Sequence, residues 1–466
     1  MLESLNEIFQ LFGATVIVPI MIFIISLCLR VPVKKAIEGS IYAGVGLTGF
    51  GWIISAFTPL ITPIVKQMVE TTGIDRSVVD IGWQTGSLTA FSTSIGLSFF
   101  IFGLVIELIL FLVGITRVFV PSNLWNNFGY MVWGAVAYQV THQFWLSFGL
   151  MIFLLLYTLL LSEVIADRWS DYYGIKNATI NSIHNIESAI PALLFDPIWN
   201  KLGLNKVSFN PLFLKEKLGL FGQPTTLGAI LGLIIGVLGN LTRLFTIEAW
   251  GQILTFTVAL AAVMTIFPLV TDVFSKAFVP IAQAVEKNRK QDADSAKKRW
   301  FLAVDDGVGY GEPATILSGI LLIPILVVLA LILPGNKTLP VVDLISIPFM
   351  IESMVALSKG NMVKILLNGT IWLGLGLYAS SYMAPFYTET VMTYGSALPA
   401  GIVLVTSFNL MARPLTVAIF ALWITKNPLI IGSMIGIYLV LLYFLRTHRE
   451  VIYAYLKRNA EKNRAH

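Results

Sequence analysis

Val304–Pro313 reads V-D-D-G-V-G-Y-G-E-P, and the reading of this stretch decides the fold. It holds three carboxylates (Asp305, Asp306, Glu312), three glycines and a proline. Straight after it, Ala314–Leu333 is apolar and long enough to span a bilayer. A carboxylate at membrane depth costs about 2.5–3.5 kcal/mol, so it serves a polar ligand or a partner. Gly and Pro make the stretch a poor helix interior. Irregular backbone at that depth is tolerated only where it is buried in protein or lines a wet cavity. Two readings fit the stretch alone: a re-entrant segment facing a polar cavity, or a cytoplasmic loop before a helix.

A second copy favours the re-entrant reading. Val79–Ser87 reads V-D-I-G-W-Q-T-G-S, and Asp80-Ile81-Gly82 aligns with Asp305-Asp306-Gly307. Amphipathic arms precede both copies, Phe57–Glu70 and Phe274–Glu286, with Pro-Ile at the same place and a closing Val-Glu pair. A long apolar segment follows each copy, Ser94–Gly114 and Ala314–Leu333.

Composition agrees with a membrane protein. The 466 residues are 56% apolar and 12% charged, with mean hydropathy +0.80. The lone cysteine, Cys28, lies in the first apolar segment, which excludes a disulfide framework, a cysteine-based metal cluster and a cysteine nucleophile. The net charge of +5 sits in loops between apolar segments, where it reports topology rather than nucleic-acid binding. Glu3 and Glu7, not a basic region, precede the first segment, so no cleavable signal peptide is expected.

Eleven segments are long enough, or nearly so, to span the bilayer: 8–29, 37–57, 94–115, 129–147, 148–166, 226–245, 251–271, 314–333, 341–358, 363–384 and 428–445. Leu398–Ile424 is also apolar but interrupted by Asn409, Arg413 and Pro414; it reads as a re-entrant hairpin or as one or two further spans. With eleven spans, all but six of the 31 Lys+Arg fall on one side, the exceptions being Lys66, Arg76, Arg243, Lys337, Arg413 and Lys426. The positive-inside rule then puts the C-terminus in the cytoplasm and the N-terminus outside. The two acidic copies lie five spans apart, and an odd offset inverts the halves. Inverted repeats place a substrate at their interface on discontinuous segments, which reads as a transporter.

The expected fold is therefore an all-α polytopic membrane protein, with about eleven transmembrane helices in two inverted repeats of five plus a final helix, and with re-entrant segments. The expected division is a first membrane repeat (1–166), a cytoplasmic loop and polar segment (167–225), a second, inverted repeat (226–384), a re-entrant hairpin (385–427), and a last span with a basic cytoplasmic tail (428–466). The longest soluble stretch, Asp167–Thr225, carries Lys201, Lys206, Lys215 and Lys217. It and the basic run Lys287–Arg299 read either as docking surfaces for an acidic or phosphate-bearing partner or as attraction to anionic lipid. The tail (Arg446, Arg449, Lys457, Arg458, Lys462, Arg464) reads as an amphipathic segment on the membrane surface.

No nucleotide-binding loop, nucleophile elbow, zinc-protease motif or dinucleotide fingerprint occurs. No cofactor, metal or nucleic acid is expected, and the chain reads as a transporter rather than an enzyme. His142 fits an interfacial anchor; His448 and His466 lie in the tail. His184 and Glu187 stand three apart, on one face if helical, and suit hydrogen bonding to hydroxyls or proton handling. Glu107 and Glu352 are lone intramembrane carboxylates facing the bundle interior. Trp125, Trp133 and Trp145 read as interface-belt residues, whereas Trp83 stands beside Asp80 in the broken motif. A sugar or polyol site wants carboxylates, amides and His for hydroxyls, plus an aromatic face. The candidate substrate-binding set is Asp80, Trp83, Gln84, Gln139, His184, Glu187, Asp305, Glu312 and Asn409.

Several runs resemble one family. Val78-Val79-Asp80-Ile81-Gly82-Trp83 is similar to the V-V-D-V-G-W signature of the galactitol-type membrane (IIC) component of the bacterial phosphotransferase system, in the ascorbate/galactitol superfamily. Leu218–Pro224 and Gly232–Gly236 resemble its F-G-x-F-G-E-P and G-L-I-I-G. Pro334–Pro340 with Asp343-Leu344 resembles its P-G-N-x-x-L-P-x-x-D-L. The resemblance implies eleven spans, a core domain with re-entrant segments, a second domain, a homodimer, and a bacterial inner-membrane location. It also implies group translocation, with phosphorylation at the cytoplasmic face by a separate IIB subunit carrying a phosphocysteine, itself fed by IIA. Three departures fall where substrate would bind. The family's H-G-T-S appears as His184-Asn185-Ile186-Glu187, its glycine–histidine pair as Gly311-Glu312, and an aspartate of its late hairpin as Asn409. They open the choice of substrate to polyols or sugars other than galactitol. The rival reading is an ion- or proton-coupled secondary transporter of a polar solute on similar inverted repeats.

Overall fold

The computed structural model describes residues 14–28, 30–72, 78–91, 93–120, 126–207, 224–277, 279–281, 283–284, 299–340, 343–394 and 404–463. The basic run from 287 to 298, the Leu218–Gln223 motif, Arg76, Trp125, Lys215, Lys217, Arg464, His466 and the side chain of Gln84 lie outside the described residues.

The molecule is predominantly helical, and each apolar segment falls on a helix. These are α1 (Ala14–Cys28), α2 (Val33–Thr72), α4 (Ser94–Leu112), α5 (Phe128–Thr141), α6 (Phe144–Tyr173), α9 (Pro224–Gly239), α10 (Ile247–Ser275), α12 (Pro313–Ile332), α13 (Ile347–Leu357), α14 (Met362–Tyr394) and α17 (Pro428–Glu461). Among the described residues, α4, α6, α12, α14 and α17 are each long and apolar enough to cross a membrane. With the apolar composition they make this a polytopic membrane protein.

The arm Phe57–Glu70 continues the second apolar segment: α2 runs unbroken for 40 residues, about 60 Å at the α-helical rise. Two expectations are corrected. The fourth and fifth segments part at His142-Gln143 rather than at 147/148, because His142 takes a left-handed φ of 52° and closes α5. The tail is the same helix as the last span, and it is tied to the protein. Arg446 Nη2 donates to the Gly114 carbonyl (2.6 Å), Arg449 pairs with Glu163, and Tyr453 Oη donates to the Glu163 carbonyl (2.9 Å). At its end Asn463 donates to the Ser358 carbonyl (2.9 Å) and accepts from Lys364 Nζ (2.6 Å).

Helices α1, α2, α9 and α10 pack into one unit. Small residues let the backbones close up, as membrane helices require. A Cβ on Gly232 would stand 2.7 Å from Thr257 Cα, and one on Gly39 2.8 Å from the Ala277 carbonyl oxygen.

Apart from α17, the rest of the described chain runs twice through one order of elements. The first passage is β1 (Val78–Asp80), α3 (Trp83–Phe91), α4, β2 (Val118–Phe119), α5, α6, β3 (Ala178–Ile180), α7 (Ile183–Ile186) and α8 (Ala189–Lys201). The second is β4 (Phe301–Val304), α11 (Gly307–Tyr310), α12, β5 (Thr338–Leu339), α13, α14, β6 (Leu404–Thr406), α15 (Phe408–Met411) and α16 (Pro414–Trp423). The strands form two parallel sheets, each mixing the passages: β5-β1-β6 and β2-β4-β3. Each central strand thus lies between the second and third strands of the other passage. Asp80 stands opposite Thr406, and Val304 opposite Ile180.

The stretch read as a cytoplasmic loop, 167–225, carries β3, α7 and α8 in its described part. Thr179, Ser182, Asn185, Glu187 and Ser188 are fully buried there. Short strands tied to short helices bring these polar residues inside.

Candidate functional site

Both acidic copies make the same turn. Gly82 N–H donates to Asp80 Oδ1 (3.1 Å) and Gly307 N–H to Asp305 Oδ1 (2.8 Å). A carboxylate bonded to its own backbone two residues on is the usual Asp turn. Beyond that turn the two places diverge.

Around Asp80 the hydrogen bonds form a brace. Its Oδ1 also accepts from Phe408 N (3.0 Å) and its Oδ2 from Asp343 N (2.6 Å). Asp343 answers with Oδ1 on Trp83 N (2.9 Å) and Oδ2 on Ser407 Oγ (2.7 Å) and Asn409 N (2.9 Å). The two carboxylates therefore hold the first amides of α3 and α15, groups with no intrahelical acceptor. Asn409 joins the brace through Nδ2 to Ser346 Oγ (2.9 Å).

Around Asp305 the arrangement is more open. Asp305 Oδ2 accepts from Asn126 Nδ2 (3.2 Å), and Asp306 Oδ2 is bonded to His184 Nε2. His184 and Asn409 are each the second residue of the four-residue helix after a third strand. The His184 Nδ1 is buried and, among the described residues, has no partner; the same holds for both carboxylate oxygens of Glu352 and for Ser182 Oγ. Glu352 is fully buried against the main chain of α11, where a Cβ on Gly309 would stand 2.5 Å from Glu352 Oε2. Beside it Asn185 is committed, accepting from Ser353 N (3.1 Å) and Oγ (2.6 Å) and donating to the Phe349 carbonyl (2.6 Å). An aromatic row runs alongside: Phe128 lies 6.3 Å from the His184 ring, and Trp83 lies 5.6 Å from Phe128. A buried polar atom without a partner costs about 1–3 kcal/mol, so native structures keep such atoms where water or a ligand meets them.

Two residues tie β3–α8 to β6–α16. Glu187 Oε1 accepts from Thr416 N (2.7 Å), Tyr157 Oη (2.9 Å) and the Thr416 hydroxyl, and Oε2 from Leu415 N (3.3 Å), so it closes the N-terminus of α16. Arg413, fully buried, donates from Nε to the Asn409 carbonyl (3.0 Å) and from Nη1 to the His184 carbonyl. Glu312 caps α12, its Oε2 accepting from Thr315 N (2.7 Å) and Oγ1 (2.9 Å). Gln139 is bonded to Glu389 (3.1 Å) at the far end of α5, about 16 Å along the helix from Phe128.

Comparison with known proteins settles the class. Residues 7–401 match the family model of the sugar-specific permease component of the phosphotransferase system. The chain belongs to this family. The galactitol-specific EIIC component of Escherichia coli (strain K12) is 25% identical over 426 residues, covering 91% of this chain and 92% of the relative. The galactitol-specific EIIC component of Escherichia coli O157:H7 matches equally. A further protein of strain K12 described as a permease IIC component is 27% identical over 386 residues, 82% of this chain and 86% of that one. The permease is thus a sugar or polyol transporter subunit of the phosphotransferase system, integral to the inner membrane, with IIA and IIB proteins as its partners.

Of the sequence candidates, Asp80 and Asn409 meet in one cluster, His184 and Trp83 border the other, and Asp305 sits at its turn. Asp343, Asp306, Ser182 and Arg413 were missing from the candidate set, and Glu352 stood outside it as a lone carboxylate. Charge inside an apolar segment is the signal that marks Glu352 and Arg413. Asp343 lies in a run shared with the family, yet its contact with Asp80 spans 263 positions and has no local trace.

Proposed function

We propose that the permease binds a galactitol-like polyol or sugar beside His184, Asp306, Glu352 and Trp83, and presents it to IIB for phosphorylation at the cytoplasmic face. The observation that carries this reading is that, among the described residues, His184 Nδ1, Glu352 Oε1 and Oε2 and Ser182 Oγ are buried without partners. Hydroxyl groups both donate and accept, so a polyol satisfies all of them at once. Trp83 and Phe128 supply the apolar face that a sugar's C–H groups pack on. Asp80, Asp343, Asn409, Glu187 and Glu312 hold the surrounding helix ends.

In the transfer step, the substrate oxygen forms a bond to the phosphorus carried by the IIB cysteine and the P–S bond breaks. The hydroxyl proton passes to His184 Nδ1, and the thiolate leaves. Asp306 on Nε2 fixes the tautomer that leaves Nδ1 free as a base.

The architecture proposed is eleven spans, three in each of two inverted repeats, four in the unit of α1, α2, α9 and α10, and the final helix α17, with the N-terminus outside and the C-terminus cytoplasmic. The doubled element order and the strand exchange between the two sheets support it. The repeats on this reading run from β1 to α8 and from β4 to α16, with 178–201 and 404–423 as the re-entrant pair. A homodimer in contact with membrane lipids completes the proposal.

The test is uptake of labelled galactitol, other polyols and hexoses into vesicles, with and without phosphorylated IIB. Phosphorylated product that appears only with IIB supports the reading. Accumulation of unmodified solute driven by a proton or sodium gradient contradicts it.

A further inference from the structure

Arg413 is one of the six basic residues that fall on the side poor in positive charge, inside an otherwise apolar stretch. It stands at the crossing of the two short-helix tips, bonded to the carbonyls of His184 and Asn409, which hold the same place in the two passages. Those bonds use Nε and Nη1. The third guanidinium nitrogen, Nη2, is buried and has no partner among the described residues. Among those residues no carboxylate forms an ion pair with it. Glu187, the acidic group that acts on it most strongly, has both oxygens committed to Thr416, Leu415 and Tyr157.

A guanidinium stays charged in proteins, and a buried charge without a partner is costly. Bracing two carbonyls needs only a neutral amide. A neutral polyol does not call for a cation either. The matching place before α8 is Ser188, whose hydroxyl accepts from Met354 N (3.2 Å), so the cation occurs in one passage only. What needs it is an anion that arrives during turnover.

We propose that Arg413 Nη2 holds the phosphoryl group as it passes to the substrate hydroxyl beside His184. The protons on Nη2 make charge-assisted hydrogen bonds to phosphate oxygens while Nε and Nη1 keep the guanidinium fixed on the two carbonyls. The inference rests on the group-translocation reading and adds to it a phosphate subsite between the tips of α7 and α15.

The experiment uses the purified full-length permease and inorganic phosphate as probe, read by calorimetric titration and by thermal stabilisation. Wild type should bind phosphate saturably, R413K about tenfold more weakly, and R413Q not at all. Absence of saturable binding to wild type, or equal affinity in wild type and R413Q, overturns the proposal. If R413Q does not fold, equal affinity in wild type and R413K overturns it. In vesicles with phosphorylated IIB, R413K should lower the rate of polyol phosphorylation at least 30-fold with little change in the half-saturating polyol concentration. A purely bracing residue would shift both parameters together, and that result also overturns the proposal. If wild-type vesicles accumulate unmodified polyol instead, the group-translocation reading fails, while the phosphate titration still reports on Arg413 separately.

Discussion

Asp80 and Asp305 follow strands at the same place in the doubled element order, and both close the same turn. Asp80 also accepts from the main-chain amides of Phe408 and Asp343, and Asp343 completes the brace. Beside Asp305 the neighbours are Asp306, where the other copy has Ile81, and His184, where it has Asn409. Among the described residues His184 Nδ1 is left without a partner, as are the carboxylate oxygens of Glu352, which packs against α11 beside this copy. One local motif therefore builds both a clamp and a site, and the side chains next to it decide which.

The largest expected effect falls on the clamp. Asp343→Ala orphans the amides of Trp83 and Asn409, and each buried orphan costs about 1–3 kcal/mol. Set against a total stability of about 5–15 kcal/mol, that should sharply reduce the yield of folded permease, measured by size exclusion and thermal melting in detergent. A normal yield and melting point would break the comparison.

Next in size are His184→Gln and Asp306→Asn. Loss of a general base costs about 10²–10⁴ in rate. Both variants should fold normally and phosphorylate polyol at least 100-fold more slowly in vesicles with IIB. Unchanged rates would return the pair to a structural role.

Glu352→Gln sharpens the contrast from the other direction. It replaces a buried carboxyl that has no partner among the described residues with an amide of the same shape, so stability should hold or rise, while polyol uptake falls about tenfold. A destabilised variant with normal uptake would make Glu352 part of a second clamp. The smallest effect is expected at Glu312, a sequence candidate that serves as a helix cap. Glu312→Ala should cost about 1 kcal/mol in unfolding and leave uptake unchanged; a large loss of uptake at normal stability would move it into the site.

These contrasts also show how far the sequence could be read. Long apolar segments announce their helices, and the Asp80–Asp305 alignment falls on the same turn in space. The stretch Ala178–Ser188 could not be read as buried, because a three-residue strand and a four-residue helix are too short to show a period. Its polar residues then look like solvent loop. The partners of Asp80 and Asp306 come from 263 and 122 positions away, so their pairing depends on the strand exchange. The tail reads as amphipathic, yet its Arg449 is taken by buried Glu163, a contact that hydropathy does not report.

The most direct measurement is phosphorylated polyol formed per folded transporter, for Asp80→Asn and Asp306→Asn side by side in the same vesicles. The account predicts scarce folded protein with a near-normal rate per folded molecule for Asp80→Asn. For Asp306→Asn it predicts abundant folded protein with a rate below about 1% of wild type, in line with loss of a general base. The reverse pattern, abundant but inactive Asp80→Asn and active Asp306→Asn, would contradict it.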